Sequence, residues 1–332
     1  MNKLHVGLVG AGYLGTIHAR LLAAQPIQWT GVYDVDPARS QKVAADFGSK
    51  AVNSLEELIA ASDALVVASA TASHYAVGKQ ILQAGKHLFL EKPITTTPAE
   101  GEELVALAKK KNLVLQVGHV ERFSRAFRSL GTDHPRPQFV EAHRLSQFRP
   151  RGTDVAVVLD LMIHDLDLIL GLMGELPSVV EASGVAVISE GVDIANARLT
   201  FPSGAVANVT ASRISANPMR KLRMFASDSY ISLDFATGST QVFHLARPGE
   251  ENIPGTTSLG EIEKAAVKRH ILFSSPSAPE GNAIQMEQQA FFKAIETGTP
   301  PPCSGEDGLR ALKVATLILE KMGTTEIATG RE

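Results

Sequence analysis

Residues 160–167 read Asp-Leu-Met-Ile-His-Asp-Leu-Asp, three carboxylates and one imidazole inside the apolar run 157–170. Burying such groups is costly unless they are paired or used. At about 100° per residue, His164 lies roughly 40° and Asp167 roughly −20° from Asp160, while Asp165 falls near 140°. An α-helix over 157–170 therefore predicts one polar stripe of Asp160, His164 and Asp167 on a helix otherwise apolar enough to be buried. Two readings fit that spacing: a proton-transfer pair facing a ligand, and a structural Asp–His bond at i, i+4. Asp167 reads as a structural support of the stripe, and Asp165, off it, as a residue outside the mechanism.

Two further stretches carry chemistry. Gly10-Ala11-Gly12-Tyr13-Leu14-Gly15 follows the apolar run Leu4–Val9 and opens a helical pattern, the context in which G-x-G-x-x-G signals dinucleotide binding. Gly10 would allow the tight turn, Gly12 the approach of a pyrophosphate, and Gly15 close helix–strand packing. The helix N-terminus adds N–H donors and a positive dipole end. Asp34 ends the next apolar run, where an acid binds adenosine ribose hydroxyls and repels a 2′-phosphate. Val35, Asp36, Pro37 and Ala38 offer no arginine clamp, and Arg39 reads as a solvated helix residue, so NAD is expected over NADP. Glu91-Lys92-Pro93 closes the run His87–Leu90, and a lysine at a strand's C-terminal edge can donate a proton to a substrate oxygen. Taken alone, a Glu91–Lys92 salt bridge beside a turn proline explains the triplet as well.

The elements that must position these groups fall into two kinds. Up to about residue 120, short apolar runs alternate with helical patterns, which argues a doubly wound parallel sheet. Pro37 and Gly48 suit the start and end of one helix, and Ser54 with Glu57 spells a capping box for another. After residue 120 the pattern becomes consecutive strands around the 157–170 helix, a mostly antiparallel α+β arrangement. The expected domains are a Rossmann domain over 1–120 and a substrate-binding and oligomerisation domain over 121–332, whose two final helices are free to pack back on the first. Residues 247–282 are polar and read as irregular, with a short helix over 259–271.

Bulk properties narrow the partners. A net charge of −3 argues against nucleic acid and anionic membrane surfaces. The single cysteine, Cys303, excludes an internal disulfide and fits a reducing compartment. Without an apolar run of membrane-spanning length or a leader-like start, the expectation is a cytoplasmic protein. No metal is called for. An open sheet face predicts a homodimer or homotetramer.

The glycine loop, the segment 74–93, the heptapeptide 117–123 and the Asp160-x-x-x-His164 spacing together resemble the Gfo/Idh/MocA family of sugar and inositol dehydrogenases over essentially the whole chain. The resemblance implies that Lys92 contacts both the nicotinamide side of NAD and the substrate hydroxyl. It further implies that His164 accepts the hydroxyl proton with help from Lys92, and that Asp160 positions or tunes them. Gly10, Gly12, Tyr13, Leu14, Gly15, Asp34, Ser69, Ala70, His74, Glu91 and Lys92 become the candidate cofactor residues. Ser69-Ala70 stands where many members carry Thr-Pro, while His74 keeps its place.

A narrower likeness, in 117–123 and 154–170, is to a branch acting on UDP-N-acetylglucosamine at C3, whose product feeds a transaminase on the way to the diamino sugar of lipid A. A diphosphate substrate calls for basic groups, and His119, Arg122, Arg149, Arg151 and Arg213 are the candidates; each arginine also reads as a solvated surface residue. Two rivals stay open. One is a dehydrogenase of a free sugar or inositol. The other is a non-catalytic NAD(H) sensor, which would need the glycines but not Lys92, Asp160 and His164 together.

Overall fold

The computed structural model describes residues 3–148, 155–247, 250, 253–264 and 267–323. They divide into two compact units, one of residues up to 120 with 282–316, the other of 121–281 with the residues from 317.

In the first unit, strands β1 (His5–Val9), β2 (Gln28–Tyr33), β3 (Ala64–Val67), β4 (His87–Glu91) and β5 (Leu115–Gly118) form a parallel sheet in the order β2-β1-β3-β4-β5. The crossovers carry α1 (Tyr13–Ala23), α2 (Pro37–Phe47), α3 (Leu55–Ala61), α4 (Thr71–Gln83) and α5 (Pro98–Lys110). Parallel strands require such crossovers. Strands β3, β4 and β5 are buried at nearly every residue, as in a sheet covered on both faces. Side chains set the helix ends. Asp36 caps α2, Pro37 fills its first turn, and Gly48 closes it at φ 70°. Thr97 and Glu100 form a full capping box on α5. Ser54 caps α3 by accepting from Glu57 N, but the Glu57 carboxylate accepts from Asn53 N instead of completing the expected box.

The second unit opens with α6 (Arg125–Leu130) and β6 (Phe139–Leu145). A π-helical turn over Val158–Met162 then runs into α7 (Ile163–Met173). The strands that follow are β7 (Val179–Val185), β8 (Ile194–Thr200), β9 (Val206–Ser212), β10 (Met219–Phe225), β11 (Ser229–Asp234), β12 (Ser239–Leu245), β13 (Thr257–Lys264) and β14 (Val267–Ser274). They join β6 in a nine-stranded sheet ordered β13-β14-β12-β11-β10-β6-β9-β8-β7. Among the described strands of this sheet only β6 and β9 pair in parallel. Val140, Ala142 and Arg144 of β6 are buried on the face that α7 covers. The opposite face carries a ladder of Phe139, Phe225, Tyr230, Phe243 and Phe273, each ring against the next.

Two sequence expectations change here. Residues 259–264 and 267–271 lie in the paired strands β13 and β14, not in a helix. Val267, Arg269, Ile271 and Phe273 alternate along β14, Leu272 is buried, and β14 pairs with β12. Pairing of β13 with β14 overrides the helix-prone Glu-Ile-Glu-Lys segment, since strand preference is set mainly by neighbours. The run 157–170 is also not one α-helix. The π turn bonds i to i+5, so the angles assumed for Asp160 hold only from Ile163 onward.

The chain then returns to the first unit as α8 (Ala283–Thr297) and α9 (Gly305–Lys321), the latter belonging to that unit up to residue 316. Phe291 of α8 packs edge-on against Phe89 of β4. Val117 N donates to Cys303 O at 3.0 Å, which covers the outer edge of β5.

Candidate active site

The C-terminal ends of the first unit's strands gather the predicted cofactor residues. In this sheet the strand order reverses between β1 and β3, and ligands of doubly wound sheets sit at such a reversal. The glycine loop leaves β1 there. Gly10 has φ +94°, and a Cβ on it would lie 2.6 Å from Ser69 N, beyond the end of β3. A Cβ on Gly15 would lie 2.0 Å from Gly10 O, so α1 can start only this close to the loop without a side chain. Gly12 differs, because a Cβ there would meet nothing within 4 Å. No described protein atom requires that glycine, and the open space beside it fits a pyrophosphate. The first turn of α1 has no side-chain cap, which leaves its dipole end for an anion.

Asp34 belongs to the same edge. Its Oδ2 accepts from Ala11 N at 2.6 Å and its Oδ1 from Asp36 N at 2.9 Å, so the carboxylate is already docked on the loop. Ser69 and Ser73 share a hydroxyl bond at 2.7 Å, and Ala70 is the N-cap of α4. His74 is buried with Nδ1 2.9 Å from Pro93 O and Nε2 3.1 Å from Ser69 O. Burial holds its pKa below the ordinary histidine value, against the two carbonyls and Glu91 that pull it up. The ring thus links the ends of β3 and β4. The Lys92–Pro93 peptide is cis, and Lys92 is partly buried beyond β4.

The Glu91 carboxylate is buried, with Oε1 2.7 Å from His18 Nε2 and Oε2 accepting from Lys92 N at 3.2 Å. Held inside the unit, it supports the turn that carries Lys92. Tyr13 is 77% exposed, Leu14 is partly buried, and His119 is buried just beyond β5.

In the second unit, Asp160 lies in the π turn and His164 in the first turn of α7, both partly buried. The other two carboxylates of that run are buried and paired. Asp167 receives Arg122 Nε at 2.7 Å and Nη2 at 2.6 Å. Asp165 receives Arg144 Nε at 2.8 Å and Nη2 at 2.9 Å, and Arg144 Nη1 reaches Glu121 Oε1 at 2.7 Å. Burial opposes the charge of Arg144, but the two carboxylates outweigh it and hold the guanidinium above its ordinary value. Arg122, a candidate for a substrate phosphate, commits two of its nitrogens to α7 through this bidentate pair. Arg213 is buried and donates Nη2 to Val155 O. Arg149 and Arg151 lie outside the described residues.

Comparison with known proteins decides the family. Residues 4–119 match the family profile described as oxidoreductase family, NAD-binding Rossmann fold, and residues 125–232 match the GFO/IDH/MocA C-terminal domain. The chain belongs to the Gfo/Idh/MocA family. It is 36% identical over 316 residues to UDP-N-acetylglucosamine 3-dehydrogenase of Acidithiobacillus ferrooxidans, covering 95% of this chain and 96% of that one. A solved structure of that enzyme superposes with a TM-score of 0.87 at 33% identity, covering 98% of this chain and all of the other. Myo-inositol 2-dehydrogenase of Thermotoga maritima is 27% identical over 329 residues, 93% of each chain. As a Gfo/Idh/MocA protein the chain is an oxidoreductase with an NAD-binding Rossmann domain.

Sequence reasoning missed His18, Glu121 and Arg144. Each left a trace. His18 is a polar residue on the buried side of α1, three after Gly15. Arg144 falls at a core position of the alternating strand β6.

Proposed function

We propose that this protein is an NAD-dependent dehydrogenase that oxidises a sugar hydroxyl, C3 of UDP-N-acetylglucosamine or a related nucleotide sugar. The observation that carries the reading is the shared sheet edge in the first unit. There the dinucleotide-shaped glycine loop, Asp34 and the Lys92 turn follow the C-terminal ends of β1, β2 and β4. The substrate rests on the near-full-length relative that acts on UDP-N-acetylglucosamine.

On this reading Gly10, Gly12 and Gly15 with the α1 N-terminus hold the pyrophosphate, and Asp34 takes the adenosine ribose hydroxyls. NAD, when bound, supplies the hydride acceptor at C4 of its nicotinamide. Lys92 hydrogen-bonds the reacting hydroxyl, His164 takes its proton, and Asp160 orients His164. Proton transfer by a positioned group is worth about 10²–10⁴ in rate. The resulting ketone suits a transaminase, which fits the lipid A branch of the resemblance. The aromatic ladder on the open sheet face is the surface for a homodimer or homotetramer, and the single buried cysteine fits the cytoplasm. Among the described residues no helix is long and apolar enough to cross a membrane.

The test is NADH formation with purified protein, NAD and a panel of UDP-N-acetylglucosamine, N-acetylglucosamine and myo-inositol. Turnover confined to the nucleotide sugar is expected. Preference for myo-inositol would instead support the second reading, which the inositol dehydrogenase relatives favour. NADH binding without turnover on any of them would leave the sensor.

A further inference from the structure

A second histidine of the first unit, besides His74, has both ring nitrogens engaged. His18 is fully buried on α1, with Nε2 2.7 Å from Glu91 Oε1 and Nδ1 2.8 Å from Gln288 Nε2 of α8. The Gln288 amide is oriented from both ends. Its nitrogen also lies 3.4 Å from the main-chain oxygen of His18, and its oxygen accepts from Gln25 Nε2. A flipped amide would set oxygen against oxygen at His18 and nitrogen against nitrogen at Gln25. Gln288 therefore donates to Nδ1, and the ring proton sits on Nε2, pointed at Glu91. The Glu91 carboxylate passes the constraint on, because its other oxygen accepts from Lys92 N. A Cβ on Gly118 would lie 2.7 Å from Glu91 Oε2, so β5 is trimmed to leave the carboxylate its place.

We propose that His18 is a positioning residue for Lys92, acting through Glu91, with Gln288 fixing its tautomer. The inference rests on the reading of Lys92 as the group that contacts the reacting hydroxyl. Packing alone would not select histidine here. Phe89 meets the ring edge-on at 5.5 Å, a contact a phenylalanine would keep. The hydrogen-bond chain needs one nitrogen to accept and the other to donate. It also ties the helix that opens on the dinucleotide loop to the turn that carries the lysine. A shift of about 1 Å in a reacting group costs on the order of 100-fold in rate.

The test compares His18→Phe, which keeps the ring and removes both nitrogens, with His18→Gln, whose amide can still donate toward Glu91. In NADH formation with UDP-N-acetylglucosamine, His18→Phe should lower kcat by about 10- to 100-fold. NADH binding, read by fluorescence titration, should stay within about threefold, and His18→Gln should recover most of kcat. In a Lys92→Ala background His18→Phe should have no further effect, as coupled residues require. Equal kcat for His18→Phe and His18→Gln, or an undiminished His18→Phe effect without Lys92, overturns the proposal. Wild-type turnover in Lys92→Ala alone would instead defeat the reading of Lys92 on which it rests. Should His18→Phe not fold, nitrogen NMR of histidine-labelled protein without cofactor carries the test. A proton on His18 Nε2, lost or shifted in Gln288→Leu, supports the chain; a proton on Nδ1 overturns it.

Discussion

The two units hold their candidate groups by different physics. In the first, main-chain geometry and hydrogen bonds without a full ion pair of Arg or Lys do most of the positioning: glycines without a Cβ, carbonyls beside His74, backbone amides on the Asp34 and Glu91 carboxylates. In the second, charge does it. Arg122 on Asp167, and Arg144 on Asp165 and Glu121, fasten the 121–123 segment and β6 to the helix that carries His164. Buried ion pairs offset their own desolvation and add little net stability, yet breaking one leaves a stranded charge. The contrast teaches where each unit is fragile. Substitutions in the first should damage chemistry or binding ahead of folding, and single charge deletions in the second should damage folding ahead of chemistry.

Lys92→Ala tests the first half of that contrast most severely. Turnover should fall by about 10²–10⁴ while thermal unfolding and NADH binding stay close to wild type. A parallel loss of stability would erase the distinction. Arg144→Met tests the second half, because it strands Asp165 beside Glu121. It should cost about 3–5 kcal/mol in urea unfolding, and adding Asp165→Leu should recover much of the loss. If the double variant is as unstable as the single, the cluster holds more than a paired charge.

Gly15→Ala sits between the extremes. Its Cβ would overlap Gly10 O, and overpacking of this kind costs about 1–3 kcal/mol. The cost should show as weakened NADH binding in calorimetry, whereas unaltered affinity would mean the loop adapts. The smallest effect is a pH dependence in the second unit. Burial alone would raise the Asp193 carboxyl, but the Ser189 hydroxyl and the amides of Ile188, Val187 and Ser189 outweigh it and hold it below the ordinary carboxylate value. A depressed carboxylate stabilises the fold above its unfolded pKa of about 4 and loses that contribution as pH falls. The melting-temperature gap between wild type and Asp193→Asn should therefore narrow from neutral pH to pH about 3. A gap that does not move would show that Asp193 contributes without its charge.

Much of this was readable from residue order. The strand–helix alternation, the glycine spacing and the meander of the second unit are local patterns, and local patterns survive in sequence. The strands β13 and β14 were not readable, because their pairing with each other, and of β14 with β12, outvotes a helix-prone segment. Nor were the ion pairs. Arg144 and Asp165 are 21 residues apart, on a strand and a helix that only the folded unit brings together. The same holds for His18 and Glu91, 73 residues apart. The partner of Arg122 on α7, 45 residues away, could not be seen from the sequence either.

Asp34 already occupies both carboxylate oxygens, one on Ala11 N and one on Asp36 N. It therefore shapes the glycine loop, beside the ribose contact proposed for it. An engineer wishing to switch the coenzyme would remove that negative charge first. Here the substitution would also release the loop, so a switch to the 2′-phosphorylated coenzyme needs a replacement side chain that still accepts from Ala11 N. Serine or asparagine, followed by a cation placed on α2, is a better starting design than alanine.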